Sequence, residues 1–377
     1  MSNRDDELSR REFLQTAAAA ASLAVLGAGC ADSPGASPDA AAPVDMAWEP
    51  GDLAIPQGTA VVSVVGGTDV ETMVRRAVAM AGGLDAIQPG QTVFIKPNAV
   101  YSAKSGTGIV TSVEVLGAVI RLVKERKPGR IIVGDRSARF FDSDSVLRMT
   151  GLNDAALAAG ADEVYAAPTP KASPNDWVLL KPPAWDETWM AKGGILAMRK
   201  IVEADHFINL PVLKNHRWAV FSLSMKNNIG SIGDDSRDAL HFNMNDPDRL
   251  GRDIAILNQI FKPLLSVIDA QRAIVNGGPE GILSDAVRTT PGLILAGRDR
   301  VALDAAGAAI LQIERKKKPI PEPDAAQPFL DSNPAWKLPQ IVHGIERGLG
   351  VAGPDRAILR FDGVAEAAAI EAGFRRT

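Results

Sequence analysis

From residue 58 onward two hydrophobic periods alternate along the chain. Short apolar runs rich in Val, Ile and Leu are separated by longer stretches whose apolar positions recur every three to four residues. The first pattern suits a strand buried on both faces, and the second an amphipathic helix. The runs are AVVSVV at 60–65, TVFIKPN at 92–98, RIIVGD at 130–135, HFINLP at 206–211, LLSVIDA at 264–270 and GLILAG at 292–297. Between them, Val70, Met73, Val74, Ala77 and Val78 line one helical face, and residues 113–126, 246–261 and 299–312 repeat the pattern. Thr111 or Ser112 can cap the helix that begins at 113, Pro128 with Gly129 stops it, and Pro97 ends the second strand. This order predicts an α/β domain over 58–360: a mostly parallel central sheet with helices on both faces, in one body or two close lobes. Residues 361–377 are expected as a C-terminal tail.

The first 57 residues follow neither period. Ser9, Arg10, Arg11, Glu12, Phe13, Leu14 and Gln15 resemble a twin-arginine export signal, and the alanine-rich run from Thr16 to Ala28 is too short to span a bilayer. Leu26 to Cys30 resemble a lipid-attachment box, with leucine one place early. We therefore expect residues 1–30 to be an export and lipoprotein signal and Cys30 to carry the lipid. Residues 31–57, with five prolines among Ala, Ser and Asp, are expected to be a flexible tether. The protein would then be exported by the twin-arginine route to the periplasm or another extracytoplasmic face and anchored in a membrane. Substrates of that route cross the membrane folded, often with a cofactor already inserted, which favours a bound metal or phosphate-bearing cofactor. No cysteine follows Cys30, so the domain can hold no thiolate-bound iron–sulfur cluster and no intramolecular disulfide.

A net charge of −4 with 23% charged residues offers no broad basic surface, so nucleic acid is not an expected partner. Candidate chemistry comes from topology: in an open parallel sheet, ligands settle beyond the carboxyl ends of the strands. That rule singles out Lys96 and Asn98, Asp135, Asn209 and Asp269. The stretch 208–241 is densest in polar chemistry. If the chain stays extended after Pro211, Lys214 and His216 share a face. Lys226 and Asn227 precede Gly230 and Gly233, and Arg237 and His241 are one helical turn apart. Lys96, Asn98, Asn209, Lys226, Asn227 and Arg237 could cradle the phosphate or carboxylate of an anionic small molecule or cofactor. His216 or His241 would act as general acid/base beside Lys214. Asp135 and Asp269, with either histidine, could instead hold a divalent metal such as zinc, manganese or iron. Plainer roles fit other residues: His206 packs between apolar neighbours, His343 lies near a turn, and Asp304 pairs with Arg298 or Arg300. The VVGGTD loop is a weak phosphate-cradle signal, and residues 314–319 are expected as a solvated loop.

Taken in order, FIKPN, TSVEVLGAVIRLVKE, IIVGD, FINLPVLKNH, SMKNNIG, SVIDA before NGGP, and DRVALDA resemble the segments of the domain-of-unknown-function family 362. The resemblance covers about residues 60–350, and LPVLKNH and MKNNIG are its distinctive blocks. Some relatives carry ferredoxin-type modules, which implies redox or cofactor chemistry for part of the family; this chain lacks the cysteines for one. Two functions remain open, a tethered enzyme acting on an anionic molecule and a tethered solute- or metal-binding module. The proton-transfer groups in the 208–241 stretch favour the enzyme.

Overall fold

The computed structural model describes residues 58–182, 185, 193–241, 245–281, 286–320 and 327–377. The signal, the tether and Cys30 lie outside the described residues. In chain order, β1 (Ala60–Gly66), α1 (Val70–Met80), β2 (Thr92–Pro97), α2 (Val113–Glu125), β3 (Arg130–Asp135), α3 (Ser143–Met149), α4 (Leu152–Ala159) and β4 (Glu163–Ala166) alternate as expected. A small antiparallel pair follows, β5 (Trp177–Leu180) and β6 (Ile195–Met198), then the single turn α5 (Arg199–Val202). Next come β7 (His206–Leu210), β8 (Val212–His216), β9 (Val220–Ser222), α6 (Ser224–Asn227), α7 (Asp234–Leu240) and α8 (Pro247–Leu257). The chain closes with β10 (Leu265–Asn276), β11 (Val287–Thr289), β12 (Leu293–Gly297), α9 (Arg300–Lys316), α10 (Gln327–Ser332), α11 (Pro339–Glu346), β13 (Ala357–Asp362) and α12 (Ala367–Arg375).

The main sheet runs β13-β1-β12-β10-β7-β2-β3-β4. Every neighbouring pair on this path is parallel except at β12, which is antiparallel to both β1 and β10. The alternation of side chains along a strand explains the two cores. Phe94, Ile132, Phe207 and Ile268 point to one face, covered by α8, α9, α11 and α12. Val93, Ile95, Val133, Ile208 and Val267 point to the other, covered by α1, α2 and α4. The helices start where polar side chains satisfy free amides: Asp69 accepts from the Thr72 amide and Ser112 from that of Val115.

Several expectations change. The chain from 58 to the C-terminus forms one compact unit rather than two lobes. The expected tail is structured: residues 361–362 complete β13, paired with β1, and α12 buries Ile370 and Phe374. GLILAG is a strand, but the single antiparallel one on the path. LLSVIDA is the first half of a twelve-residue strand, β10, whose distal half pairs with β11 and which meets β8 at Asp269 and Ile274. Glu314 and Arg315, expected in a solvated loop, are buried at the end of α9, where Arg315 pairs with Asp331. Among the described residues no helix is long and apolar enough to cross a membrane.

Candidate functional site

The carboxyl ends of β2, β3 and β7 deliver Lys96, Asn98, Asp135 and Asn209 to one place, and β8 and α6 add Lys214, Lys226 and Asn227. Lys96 Nζ lies 2.6 Å from Asp135 Oδ1, with both side chains almost fully buried, and also donates to the Pro97 carbonyl at 3.0 Å. Asp135 Oδ2 accepts from the Ala99 amide at 2.7 Å. Gly230 is tight against this pair, since a Cβ there would press on Asp135 Oδ1 and stand 2.7 Å from Lys96 Nζ.

A ladder of amides runs beside the ion pair. Lys214 Nζ donates to Asn98 Oδ1 at 3.1 Å and to the Ile109 carbonyl at 2.6 Å. Asn98 Nδ2 donates to Asn227 Oδ1 at 2.8 Å, Asn227 Nδ2 to Asn209 Oδ1 at 2.7 Å, and Asn209 Nδ2 to the Ser224 carbonyl at 2.9 Å. Four residues distant in sequence are thereby locked in single orientations, as buried polar groups require.

Lys226 is the exception. It is only 8% exposed, yet among the described residues its amine has no hydrogen bond or ion pair, while Lys96 and Lys214 have theirs. Burial first, and then the charges of Arg237 and Lys214, pull Lys226 down from 10.5 to about 7. Lys214 is also brought down to about 7, by burial against the opposing pull of Glu280 and Asp135. Arg237, whose Nη1 donates to the Arg136 and Ser137 carbonyls at 3.1 and 2.6 Å, is lowered by burial and then by Arg136.

The histidines differ from expectation. Burial, followed by the Lys226 charge, holds His216 well below its usual value and brings His241 to about 3. Both rings are therefore neutral at neutral pH, and neither can serve there as a protonated acid. His216 Nδ1 accepts from the Trp218 and Ala219 amides at 3.3 and 3.2 Å, so its proton sits on Nε2. His241 Nδ1 lies 2.7 Å from the Arg237 carbonyl, an acceptor only, so its proton sits on Nδ1 and Nε2 keeps a lone pair. Within the cluster it is Lys214 and Lys226 that are brought near neutrality.

The metal grouping does not form. Asp135 is committed to Lys96 and the Ala99 amide. Asp269 is committed to backbone, accepting from the Ser112 and Gln271 amides at 2.8 and 3.1 Å and so supporting the start of α2. Among the described residues no three His, Cys, Asp or Glu side chains are placed to hold a metal ion. The VVGGTD loop is explained by packing, because a Cβ on Gly66 would come 2.5 Å from the Gly363 carbonyl oxygen.

Outside the cluster, His206 Nε2 contacts Gln91 Oε1 at 2.8 Å, and His343 pairs with Asp248 and Glu346. Among the described residues Asp304 pairs with no arginine side chain. Fully buried, it accepts from the Ser224 and Met225 amides at 2.7 and 3.0 Å and thus holds the first turn of α6, which carries Lys226.

Sequence reasoning missed Glu280 and Tyr101. Tyr101 donates its hydroxyl to Glu280 Oε1 at 2.7 Å, and the buried Glu280 Oε2 has no hydrogen bond, standing 3.9 Å from Arg217 Nη2. Glu280 opposes the loss of protons from both Lys214 and Lys226. Its signal was its place a few residues beyond β10, hidden because Gln271 and Arg272 break the apolar run.

The fold and this cluster define a class: an α/β domain with a buried, cation-rich site where the carboxyl ends of a mostly parallel sheet converge. Within that class the chain belongs to the domain-of-unknown-function family DUF362, whose profile matches residues 93–309, more than half of the chain. It is 27% identical over 288 residues to the thylakoid-associated protein sll1697 of Synechocystis, a match covering 71% of this chain and 83% of that one. Two solved structures are distantly similar. A structural-genomics target from Thermotoga maritima matches with a TM-score of 0.39 and 13% identity, over 71% of this chain and 60% of that one. The lactate racemase apoprotein of Thermoanaerobacterium thermosaccharolyticum matches with a TM-score of 0.39 and 12% identity, over 83% and 86%.

Proposed function

We propose that this protein is an enzyme that binds an anionic small molecule at the Lys96–Lys214–Lys226–Arg237 cluster and uses Lys226 for proton transfer. One observation carries the reading: a lysine only 8% exposed, whose amine has no hydrogen bond or ion pair among the described residues and is poised near neutrality under the charges of Arg237 and Lys214. A lysine that is buried only for packing finds a carboxylate or carbonyl, because leaving it unpaired costs several kcal/mol. A carboxylate or phosphate would supply the missing partner, and an amine near pH 7 can both give and take a proton. His241 Nε2 offers a second acceptor, and His216 Nε2 a neutral donor.

The arginine pair, the weakly apolar run and the box ending at Cys30 support export and lipid anchoring, which would place the domain outside the cytoplasm at a membrane surface. Membrane fractionation of wild type against Cys30→Ser tests that part, with release of the variant into the soluble fraction expected. Thermal melts of the natively purified full chain test the site. Inorganic phosphate or a simple carboxylate should raise the melting temperature of wild type and leave Lys226→Met unmoved. An equal response in the two proteins would refute the assignment. Turnover across a panel of anionic substrates, with a pH limb near 7 that Lys226→Met abolishes, separates an enzyme from a tethered binding module.

A further inference from the structure

The Lys226 amine has a second capacity besides proton transfer. Of the three cluster lysines, Lys96 is held by Asp135 and Lys214 by Asn98 and the Ile109 carbonyl, whereas Lys226 is held by nothing among the described residues. Its backbone, in contrast, is fixed. Asp304 binds the Ser224 and Met225 amides, Asn209 the Ser224 carbonyl, and Asn258 Nδ2 the Met225 carbonyl at 2.9 Å. An amine without a partner among the described residues, on a rigid platform, in a nearly buried side chain and under the charge of other cations, is the arrangement that makes lysine a nucleophile rather than a salt-bridge partner.

The flanking charges say what it would attack. Lys214 and Arg237 bear on Lys226 electrostatically, so an electrophile bearing a carboxylate beside its reactive carbon is drawn to the place where the amine waits. We propose that Lys226 Nζ captures the carbonyl carbon of a small anionic aldehyde or 2-oxo acid as an imine, a step that rests on the anion-site reading above. Nitrogen attacks the carbonyl carbon, the π pair moves to oxygen, and the proton lost by nitrogen passes to that oxygen. A second proton, delivered by solvent hydronium, lets the oxygen depart as water and leaves a protonated imine whose charge the substrate carboxylate balances. Glu280, with one oxygen free of hydrogen bonds, is the carboxylate whose charge bears on Lys226.

Borohydride trapping tests the step. The full-length chain is incubated with glyoxylate, reduced, digested and mapped by mass spectrometry, with phosphate-induced thermal stabilisation measured in parallel. The expected result is a carboxymethyl group on Lys226, about tenfold above any exposed lysine such as Lys171, and its loss in Lys226→Met or when borohydride is omitted. Labelling spread evenly over surface lysines, or none at Lys226, overturns the imine. If phosphate still stabilises the protein in that case, the anion site stands and the nucleophile falls; if phosphate stabilisation is also absent, both fall. Mapping the wild-type chain decides the matter even where the variant folds poorly.

Discussion

Replacing Lys226 by Met separates the cost of the site from its use. Methionine has nearly the length of the lysine stem, is apolar and adapts to irregular space, so it can occupy the same volume without the amine. In the folded protein the amine titrates at about 7 instead of 10.5. That difference destabilises the native state by about 5 kcal/mol wherever the unfolded lysine is charged and the folded one is forced to match it. Allowing Lys214, which shares the site's charge, to relax, the variant should be more stable than wild type by about 3–5 kcal/mol at or below neutral pH. The sign follows from proton counting. Between about pH 7 and about pH 10 the unfolded chain binds more protons at this residue, so wild-type stability rises with pH while that of the variant does not. The gap between them should therefore be widest at or below pH 7 and close toward pH 10. Urea unfolding at a series of pH values reads both the size and the trend. A variant less stable than wild type at neutral pH, or a gap independent of pH, would refute the claim that the amine is unfavourably buried and unpartnered.

Three further outcomes follow from other contacts. Asp304 is raised by burial from 3.8 to about 7, so the folded state holds the extra proton between those values and loses stability as pH rises through them; Asp304→Asn should abolish that decline in thermal melts. Gly230→Ala should push apart the buried Lys96–Asp135 pair and cost about 3–5 kcal/mol in urea titrations. Phe374→Ala should cost about 3–5 kcal/mol, because Phe374 is fully buried and stacks edge-on with Trp336 at 5.2 Å; a surface tail would show no effect.

The strands were legible where one physical rule dominated. AVVSVV, TVFIKPN, RIIVGD and HFINLP are covered on both faces, so continuous apolar runs mark them within a residue or two. Direction was not legible: nothing in GLILAG distinguishes an antiparallel neighbour, because only the path of the connecting chain decides it. The distal half of β10 was hidden because Gln271 and Arg272 face outward there. At the site, the carboxyl-end rule found Lys96, Asn98, Asp135 and Asn209 together. It also named Asp269, whose carboxylate is held by the Ser112 and Gln271 amides, because a carboxylate that braces backbone and one that binds a ligand look alike in sequence. Charge states were least legible. A histidine is near neutrality only in water; burial and the Lys226 charge lower His216 and His241, whereas burial brings Lys214 and Lys226 down to about 7.

The place of β1 has a consequence for how the chain is made. Ala60 pairs with Ala357, and Val65 with Asp362, so among the described residues the first strand to be synthesised lies beside the last one. An open edge must wait through the whole of synthesis for its mate, and β12, which shields the opposite side of β1, also arrives late. Among the described residues, β1 therefore completes its pairing on both sides only after nearly the whole domain has been synthesised.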